Sequence, residues 1–271
     1  MLNEIRKIPA FIKRDFKILL SYKLAFSTSL LSIVFTLFYF VLFGSMFGAA
    51  EVPILSKYGG NFIYYILVGS VGWGFMWSVM ASASSSISTE MMMGTLESIL
   101  VTSTRMTTIV ISYAIFGGIF GLVSIIILLL IGYVIFGISA LSTATIYTWI
   151  IFILTTLMMV GFGMMFGGLT IWLKNIGDSI PFLQDITMFF CGVYFPPEVL
   201  PHPLEYVSYL IPFYYSMEGL RKSLIPSTGF TEILLYIVIL LVLSGLSLYV
   251  GVVTLNKGLE KAKKEGTLAF Y

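Results

Sequence analysis

The stretch TTIVISYAIFGGIFGLVSIIILLLIGYVIF, Thr107 to Phe136, contains no acidic or basic side chain. A helix of about 20 apolar residues crosses the hydrocarbon core of a bilayer, so this stretch alone is long enough to span a membrane. The rest of the chain shares the bias, since 58% of its 271 residues are hydrophobic and only 10% are charged. Soluble domains do not have this composition. The sequence therefore predicts an all-α integral membrane protein, because continuous apolar runs do not fit the alternating strands of a β-barrel.

Six transmembrane helices are predicted, five from the blocks that lack charged residues and one from a short span that carries Asp185. The block between Arg105 and Lys174 is long enough for two crossings, with ISALSTAT at 138–145 as the turn between them. The fifth crossing, SIPFLQDITMFFCGVYF, is short and runs into the proline-rich FPPEVLPHP, so we expect it to end in broken, partly re-entrant structure. The six predicted helices cover residues 24–48, 61–83, 107–136, 146–171, 179–195 and 231–255.

The distribution of Lys and Arg predicts that both termini are cytoplasmic, because basic residues accumulate on the inner side of a membrane. With six crossings, twelve basic residues lie inside and only Lys57, Arg221 and Lys222 lie outside. The first span is too long for the apolar core of a cleavable signal peptide, so we expect a multi-pass protein of the plasma membrane. The expected parts are a cytoplasmic segment, one transmembrane domain and a basic cytoplasmic tail, at residues 1–23, 24–255 and 256–271.

The cytoplasmic segment IPAFIKRDFKILLSYK has the pattern of an amphipathic helix. Its apolar side is formed by residues at helical spacing, which are Ile12, Phe16 and Leu19. Its basic side consists of Lys13, Arg14 and Lys17. Such a helix is expected to lie in the inner membrane interface. It serves either as an anchor that only fixes topology or as a surface for a cytoplasmic partner, and the pattern leaves both roles open.

Residues for catalysis are scarce. One histidine, His202, and one cysteine, Cys191, are too few for a metal cluster or a disulfide, and no P-loop motif occurs. We therefore expect no catalytic residue, metal or cofactor in this chain, and no nucleic-acid partner. Asp185 is the one serious candidate for an ionisable group within a span, whereas an ion-coupled carrier is expected to hold several. Such a carrier is a less favoured alternative, as is a purely structural membrane protein.

Three pairs of glycines have the small-xxx-small spacing that lets transmembrane helices approach closely. The pairs are Gly44/Gly48, Gly117/Gly121 and Gly163/Gly167. Ordinary packing within the chain is the expected role of these pairs.

The segment STEMMMGTLESILVTSTR, Ser88 to Arg105, carries charge between two charge-free blocks. Treated as one helix at 100° per residue, it places Met92, Leu96 and Ile99 on one side. The opposite side contains Glu90, Gly94, Glu97 and Val101. We expect such a helix to lie along the inner membrane face with both carboxylates toward the cytoplasm. The pattern alone favours an ordinary amphipathic connector over a docking surface.

Two stretches carry a resemblance to a known family. EMMMGTLESILVTSTRMTTIVISY resembles the cytoplasmic stretch of ABC-2 type permeases, the membrane subunits of ATP-binding-cassette exporters. YFPPEVLPHPLEYVSYLIPFYYSMEGLRKSLI is similar to that family's paired prolines, its Leu-Pro and its Arg before the last span. The two motifs occur in the family's order. FPPEVLP and NFIYYILVGS further resemble the drug and antibiotic-resistance branch.

The resemblance implies a half-transporter. Two permease chains, identical or different, would form one pathway through the lipid membrane, and two separate nucleotide-binding subunits would hold ATP and Mg. The family's coupling helix maps onto about residues 88–101, with motif positions at Glu90, Gly94, Thr95 and Glu97 and with Arg105 at the entry to the third span. The amphipathic N-terminal segment corresponds to the interface helix beside the ATPase.

The same resemblance implies two short outer helices in the region 195–225, which dip into the membrane and close the exit. Candidate residues of this outer gate are Pro196, Pro197, Glu218 and Arg221. The i, i+3 spacing of Glu218 and Arg221 allows them to pair on one helical face. The implied function is ATP-driven export of an amphipathic, lipid-like or drug-like substrate, and the main alternative is export of a polysaccharide or a lipid-linked glycan.

Overall fold

The fold is all-helical wherever it is described. The computed structural model describes residues 2–24, 27–28, 31–32, 34–35, 38, 53–58, 60, 62–102, 104–137, 143–173 and 179–265. Within these residues there is no strand, which confirms the predicted all-α class. The α-helices, in chain order, are α1 (Leu2–Ile5), α2 (Ile8–Ser21), α3 (Phe62–Met92), α4 (Leu96–Val101), α5 (Met106–Phe136), α6 (Ile146–Leu173), α7 (Ser179–Phe190), α8 (His202–Leu210), α9 (Pro212–Ser223) and α10 (Phe230–Glu265). Two short 3₁₀ helices cover Pro53–Tyr58 and Pro197–Val199.

Four described helices are long and apolar enough to cross a membrane. They are α3 over Phe62–Met92, α5 over Met106–Ile135, α6 over Ile146–Leu173 and α10 over Phe230–Lys264. These match the second, third, fourth and sixth predicted spans. Most of the first predicted span, 24–48, and most of the predicted turn at 138–145 lie outside the described residues. The predicted fifth span contains α7, whose 12 residues extend only about 18 Å against a hydrocarbon core of about 30 Å.

Two helices extend beyond the predicted ends of their spans. The helix α3 continues to Met92 through a serine-rich segment, in which the hydroxyls of Ser85, Ser86 and Ser88 bond to carbonyls one turn back. One example is Ser86, whose Oγ donates to the carbonyl oxygen of Ala83 at 2.7 Å. The helix α10 continues to Glu265 through the lysines of the predicted tail, and basic residues stabilise the C-terminal end of a helix dipole. The predicted ends at 83 and 255 were therefore wrong, because loss of apolar character ends a span without ending its helix.

The helix α3 is the centre of the bundle. The helices α5 and α6 pack along it, α9 contacts it, α6 packs along α10, and α2 lies on α5. The core contains fully buried side chains from three of these helices, such as Met76, Val79, Met80, Ile109, Val110, Ile151 and Met158.

Glycines place the helices around α3 at short distance. A Cβ atom on Gly121 would lie 2.9 Å from the ring of Phe75 of α3, and one on Gly117 would overlap Ser82. On α6, a Cβ on Gly163 would overlap Ala83. The predicted role of these glycines in packing within the chain is confirmed, while Gly44/Gly48 lie outside the described residues.

The tightest contact between spans joins α6 and α10. A Cβ on Gly168 would lie 2.7 Å from the backbone nitrogen of Leu255, and one on Gly258 would lie 2.6 Å from the carbonyl oxygen of Gly168. One heptad earlier, a Cβ on Gly251 would overlap the carbonyl oxygen of Gly161. The two helices are parallel, and their backbones touch where glycines recur every seven residues. The small-xxx-small pattern does not predict this contact, because the small residues in that pattern are four residues apart.

We expect Gly251→Ala to destabilise the protein by about 1 to 3 kcal/mol, because the added methyl overlaps a backbone oxygen that cannot move aside. The matched control is Gly245→Ala on the same helix, where an added Cβ meets nothing within 4 Å. The control should be neutral or slightly stabilising, since alanine favours helix over glycine. Unfolding midpoints in mixed detergent measure both, and equal midpoints would contradict the packing role of Gly251.

Candidate functional site

The segment 88–105 is two helices joined by a turn. The first belongs to α3, which ends at Met92, and the second is α4. Gly94 has φ +66° in the turn, its N–H donates to the carbonyl of Met91, and the N–H of Thr95 donates to the carbonyl of Glu90, both at 3.0 Å. This pair of bonds is a Schellman motif, which ends a helix at a left-handed residue. The predicted single helix over 88–101 is therefore wrong, because Gly94 adopts a left-handed conformation that ends α3.

The turn gives the two carboxylates of the segment opposite environments. Glu90 has 0% of its surface exposed, whereas Glu97 lies on the exposed side of α4. The prediction that both carboxylates face outward is wrong for Glu90. The apolar residues divide as well, because Leu96 is buried while Met92 is 79% exposed.

Glu90 accepts hydrogen bonds from three separate segments. Its Oε1 accepts from Arg14 Nη2 at 2.5 Å and from the hydroxyl of Tyr113 at 2.9 Å. Its Oε2 accepts from the hydroxyl of Thr95. The donors lie on α2, on α5 and at the start of α4. A buried carboxylate is tolerated when it is both paired and hydrogen-bonded, and Glu90 meets both conditions.

Arg14 connects α2 to this carboxylate. Its Nε donates to Asp15 Oδ1 at 2.9 Å, and its guanidinium lies 5.1 Å from the ring centroid of Phe11 and 5.7 Å from that of Tyr113. The prediction placed Arg14 on the solvent side with Lys13 and Lys17. Those two lysines are exposed, but the side chain of Arg14 turns into the protein. The predicted basic side of the helix was therefore wrong for Arg14, because the pattern carried no information about a partner 76 residues away.

Asp15 is a further buried carboxylate of this cluster. Burial raises the pKa of Asp15, although the hydrogen bond from Arg14 opposes the rise. Its second oxygen, Oδ2, is buried without a hydrogen-bond partner among the described residues. The guanidinium of Arg14 thus pairs with the carboxylates of both Glu90 and Asp15. Loss of Arg14 would leave both negative charges without their cation.

A second polar cluster attaches the N-terminus to the start of α5. Glu4 Oε2 accepts from the Thr108 hydroxyl at 2.6 Å and from the backbone N–H of Arg105 at 3.2 Å. Lys7 Nζ donates to Glu4 Oε1 at 2.7 Å and to the Thr104 hydroxyl at 3.1 Å. Arg105 is the N-cap residue of α5 and makes no side-chain cap of its own, so Glu4 supplies a carboxylate at the positive end of the helix. The hydrogen bonds from Lys7, Thr108 and Arg105 lower the pKa of Glu4 to about 2.

Sequence reasoning missed Glu4, Asp15 and Tyr113. Only the i, i+3 spacing of Glu4 and Lys7 was a signal, and it predicts a surface pair rather than a tertiary contact. The predicted site residue Arg105 contributes its backbone to the Glu4 cluster, and its side chain is exposed.

The predicted outer-gate residues lie together at the opposite end of α3. Both oxygens of Glu218 accept from the hydroxyl of Tyr58 at 2.9 Å. The guanidinium of Arg221 lies 3.7 Å from the ring centroid of Tyr65, and its Nη2 donates to the carbonyl of Val193 at 3.0 Å. Both charged residues are buried, and their side chains contact different partners, Glu218 binding Tyr58 and Arg221 stacking on Tyr65. The spacing allows Glu218 and Arg221 to pair on one helical face, but no ion pair joins these two described residues.

The paired prolines belong to the same cluster as Glu218 and Arg221, which we call the outer cluster after the predicted outer gate. Pro196 and Pro197 are buried, and they begin the second 3₁₀ helix. An ion pair between Glu198 of that helix and Lys57 connects it to the first 3₁₀ helix. Gly192, at φ +73°, turns the chain into this region, and its carbonyl accepts from the hydroxyl of Tyr65 at 2.8 Å.

The remaining polar candidates do not belong to the clusters around Glu90, Glu4 and Glu218. Asp185 is exposed on α7, His202 is exposed at the start of α8, and Cys191 is a buried free thiol. Among the described residues, no group of three His, Cys, Asp or Glu side chains could hold a metal ion.

The comparison with known families concerns the segment that contains the Arg14–Glu90 cluster and the cluster of Glu218 and Arg221. A family model described as ABC-2 type transporter matches residues 7–225. The chain belongs to the ABC-2 type transporter family. The match covers α2 to α9, and it confirms the resemblance carried by the two sequence motifs. Curated proteins give no match to this permease. The ABC-2 membrane domain is a permease component, and permeases of the family typically pair with an ATPase subunit.

We expect Arg14→Met to destabilise the permease by about 3 to 5 kcal/mol, because it leaves buried carboxylates without their cation. Glu90→Gln should cost less, since Arg14 keeps Asp15, the amide oxygen in place of Oε1 still accepts from Tyr113, and the amide NH₂ in place of Oε2 can donate to the Thr95 hydroxyl. The double variant should lose less than the sum of the two single losses. Thermal unfolding of all four proteins in detergent completes the cycle, and strict additivity would show that the two residues are not coupled.

We expect acid to release α1 from α5. The folded pKa of Glu4, about 2, lies below the ordinary value of about 4.3, so its contribution is present above the ordinary value and is lost as the pH falls toward 2. A spin label on Ile5→Cys reports the release as increased mobility, and the buried Cys191 does not compete for the label. With Glu4→Gln the label should be mobile at neutral pH already. An acid response unchanged by that substitution would assign the release to another group.

Proposed function

We propose that the chain is the permease subunit of an ATP-driven exporter, which moves an amphipathic, lipid-like or drug-like substrate out of the cytoplasm or the inner leaflet. Two copies of a separate ATPase, with ATP and Mg bound in them, drive a pair of permease chains. The observation that carries the proposal is the turn between α3 and α4. One side of this turn is exposed, and the other side is held by hydrogen bonds to α2, α3 and α5.

The exposed side of the turn is the proposed docking surface for the ATPase. It consists of Met92, Met93, Glu97 and Val101, and Met92 and Val101 are 79% and 87% exposed. Large apolar side chains beside a carboxylate at the end of a bundle are typical of a surface that a partner covers. Lys13 and Lys17 on α2 and the side chain of Arg105 are exposed as well, and we propose that they flank the same partner.

We propose that the buried side of the turn transmits a displacement of the docking surface to the membrane-spanning helices. Thr95 is bonded to Glu90, and Glu90 is bonded to Arg14 and Tyr113, so a displacement of α4 acts on α2, α3 and α5 together. In this proposal Glu90 positions the docking surface, and Glu97 contacts the ATPase. This division changes the expectation that both carboxylates meet the partner.

We propose that α3 moves as a rigid helix and connects the docking surface to the outer gate. Glu90 and Tyr65 are 25 residues apart on one continuous helix, a distance of about 38 Å. At the far end, Gly69 allows Arg221 and the carbonyl of Val193 to lie directly against the α3 backbone. A rigid movement of α3 therefore reaches the segment that carries the paired prolines. We propose that this movement opens the exit.

Three placements support the proposed topology of six crossings with both termini cytoplasmic. The helix α2 lies at the Glu90 end of α3, and the 3₁₀ helix Pro53–Tyr58 lies at its Tyr65 end, so the chain passes from one end to the other between them. The parallel contact of α6 and α10 likewise requires the intervening chain to return across the bundle. The predicted excess of Lys and Arg on one side of the membrane indicates which end of the bundle is cytoplasmic.

The proposed substrate class depends on the resemblance of FPPEVLP and NFIYYILVGS to the drug and antibiotic-resistance branch. A polysaccharide or lipid-linked glycan is the alternative cargo. Lipid, drug and glycan candidates can be compared by their stimulation of ATP hydrolysis in the purified complex, and stimulation by glycans alone would reject the proposed class.

We expect Glu97→Lys to reduce ATPase recovery with the tagged permease from native membranes, and to reduce ATP hydrolysis in the eluate. The residue is exposed, so the substitution should leave the unfolding midpoint unchanged. The matched control is Glu232→Lys, a charge reversal at an exposed residue at the opposite end of the bundle, which should leave ATPase recovery intact. Undiminished ATPase recovery with Glu97→Lys would reject this docking surface, and absence of ATPase from the wild-type eluate would reject the exporter itself.

A further inference from the structure

An apolar groove lies between α5 and α6, with α3 as its floor and α9 closing one end. It has a volume of about 130 Å³. The lining includes Val68 and Gly72 of α3, Leu122 and Ile125 of α5, Trp149 of α6 and Leu220 of α9.

The groove follows from the packing of the bundle. The helices α5 and α6 both pack on α3 and touch each other little, so a gap remains between them. Gly72 is part of the floor of the gap, and a Cβ there would make ordinary contact with the side chains of Leu220 and Met217 at 3.5 Å. From Leu122 to Leu129 the groove extends seven residues along α5, a length of about 10 Å.

The lining is too apolar to hold water. Its one hydroxyl belongs to Thr148 and donates to the carbonyl oxygen of Ser223 at 3.3 Å, and the one other polar group among the lining side chains is the indole N–H of Trp149. Water occupies a cavity when it finds two to four polar partners, whereas apolar cavities of about 150 Å³ bind hydrocarbons such as benzene. The groove has a comparable size and the same chemistry.

The opening of the groove faces the membrane. Leu122 and Trp149 form its rim, and both are exposed. The neighbouring side chains Ile126 and Ile153, which point away from the bundle, are 58% and 57% exposed. All four belong to helices that are long and apolar enough to span the bilayer, so the opening meets hydrocarbon.

We propose that this groove is a binding site for one acyl chain of a membrane phospholipid. The chain enters between Leu122 and Trp149 and lies over Gly72, below the end of α9. Because no charged side chain lines the groove, the site recognises the hydrocarbon chain and not the headgroup. Since α9 also carries Glu218 and Arg221, the bound chain fills the space beneath the segment that holds the outer cluster. The site does not depend on the proposed export function.

A photoreactive lipid tests the site. The permease is reconstituted into phosphatidylcholine and phosphatidylglycerol vesicles that contain a phosphatidylcholine with a diazirine on one acyl chain, and the labelled residues are identified by mass spectrometry. We expect labelling of the floor residues Val68 and Leu220, which are each only 7% exposed, in addition to exposed residues such as Ile126. Labelling restricted to exposed residues would overturn the proposal, including the case in which a second permease chain covers the groove.

A matched pair of variants separates the groove from general lipid contact. Ile125→Trp fills the groove, whereas Ile126→Trp, one residue along, adds the same bulk on the lipid side. Labelling of Val68 and Leu220 should be lost in Ile125→Trp and kept in Ile126→Trp. Leu129→Trp replaces Ile125→Trp if that variant fails to fold. Floor labelling that persists in the filled variants would overturn the proposal.

A phosphatidylglycerol with the same photoreactive chain tests headgroup selectivity. The two lipids should label the floor to the same extent. Labelling by only one of them would contradict recognition through the acyl chain alone.

Discussion

A carboxylate with no exposed surface has to find its hydrogen-bond donors within the protein, and Glu90 finds them on α2, on α5 and at the start of α4. This requirement organises one whole end of the bundle. The amphipathic N-terminal helix is held to the core by a buried guanidinium, so it is a structural part of the permease as well as a surface element. The exposed turn after α3 rests on the same cluster, which gives a partner a fixed surface to contact.

The two ends of the bundle use similar chemistry and are connected by one helix. At one end Arg14 neutralises Glu90, and at the other Arg221 stacks on Tyr65 and binds backbone carbonyls. Between them, α3 is lined by glycines of α5 and α6 that allow close packing without large side chains. Small residues and buried polar contacts take over the role that the hydrophobic effect has in water, because lipid chains are as apolar as the helix surfaces.

The class of protein, the four described spans and the family follow from the sequence, because long apolar blocks and local motifs are properties of neighbouring residues. The environments of Glu90 and Arg14 do not. Helical periodicity assigned both to exposed sides, and it failed because Gly94 ends α3 and because Arg14 pairs with a residue 76 positions away. Tyr113 carried no local signal for the same reason, and the spacing of Glu4 and Lys7 predicts only a surface pair. The heptad glycines of α6 and α10 were readable in principle, but only with a repeat length suited to parallel helices.

The separation of Arg14 and Glu90 along the chain has a consequence for biosynthesis. At a translation rate of about 5 to 20 residues per second, the carboxylate emerges some 4 to 15 s after the guanidinium. In the proposed topology Arg14 is, during that interval, a positive charge without its Glu90 partner ahead of the first apolar segment, where it would help to retain the N-terminus in the cytoplasm. Once Glu90 arrives, the same charge becomes an internal ion pair. Arg14 would thus act first on the orientation in which the chain inserts and then stabilise the completed fold.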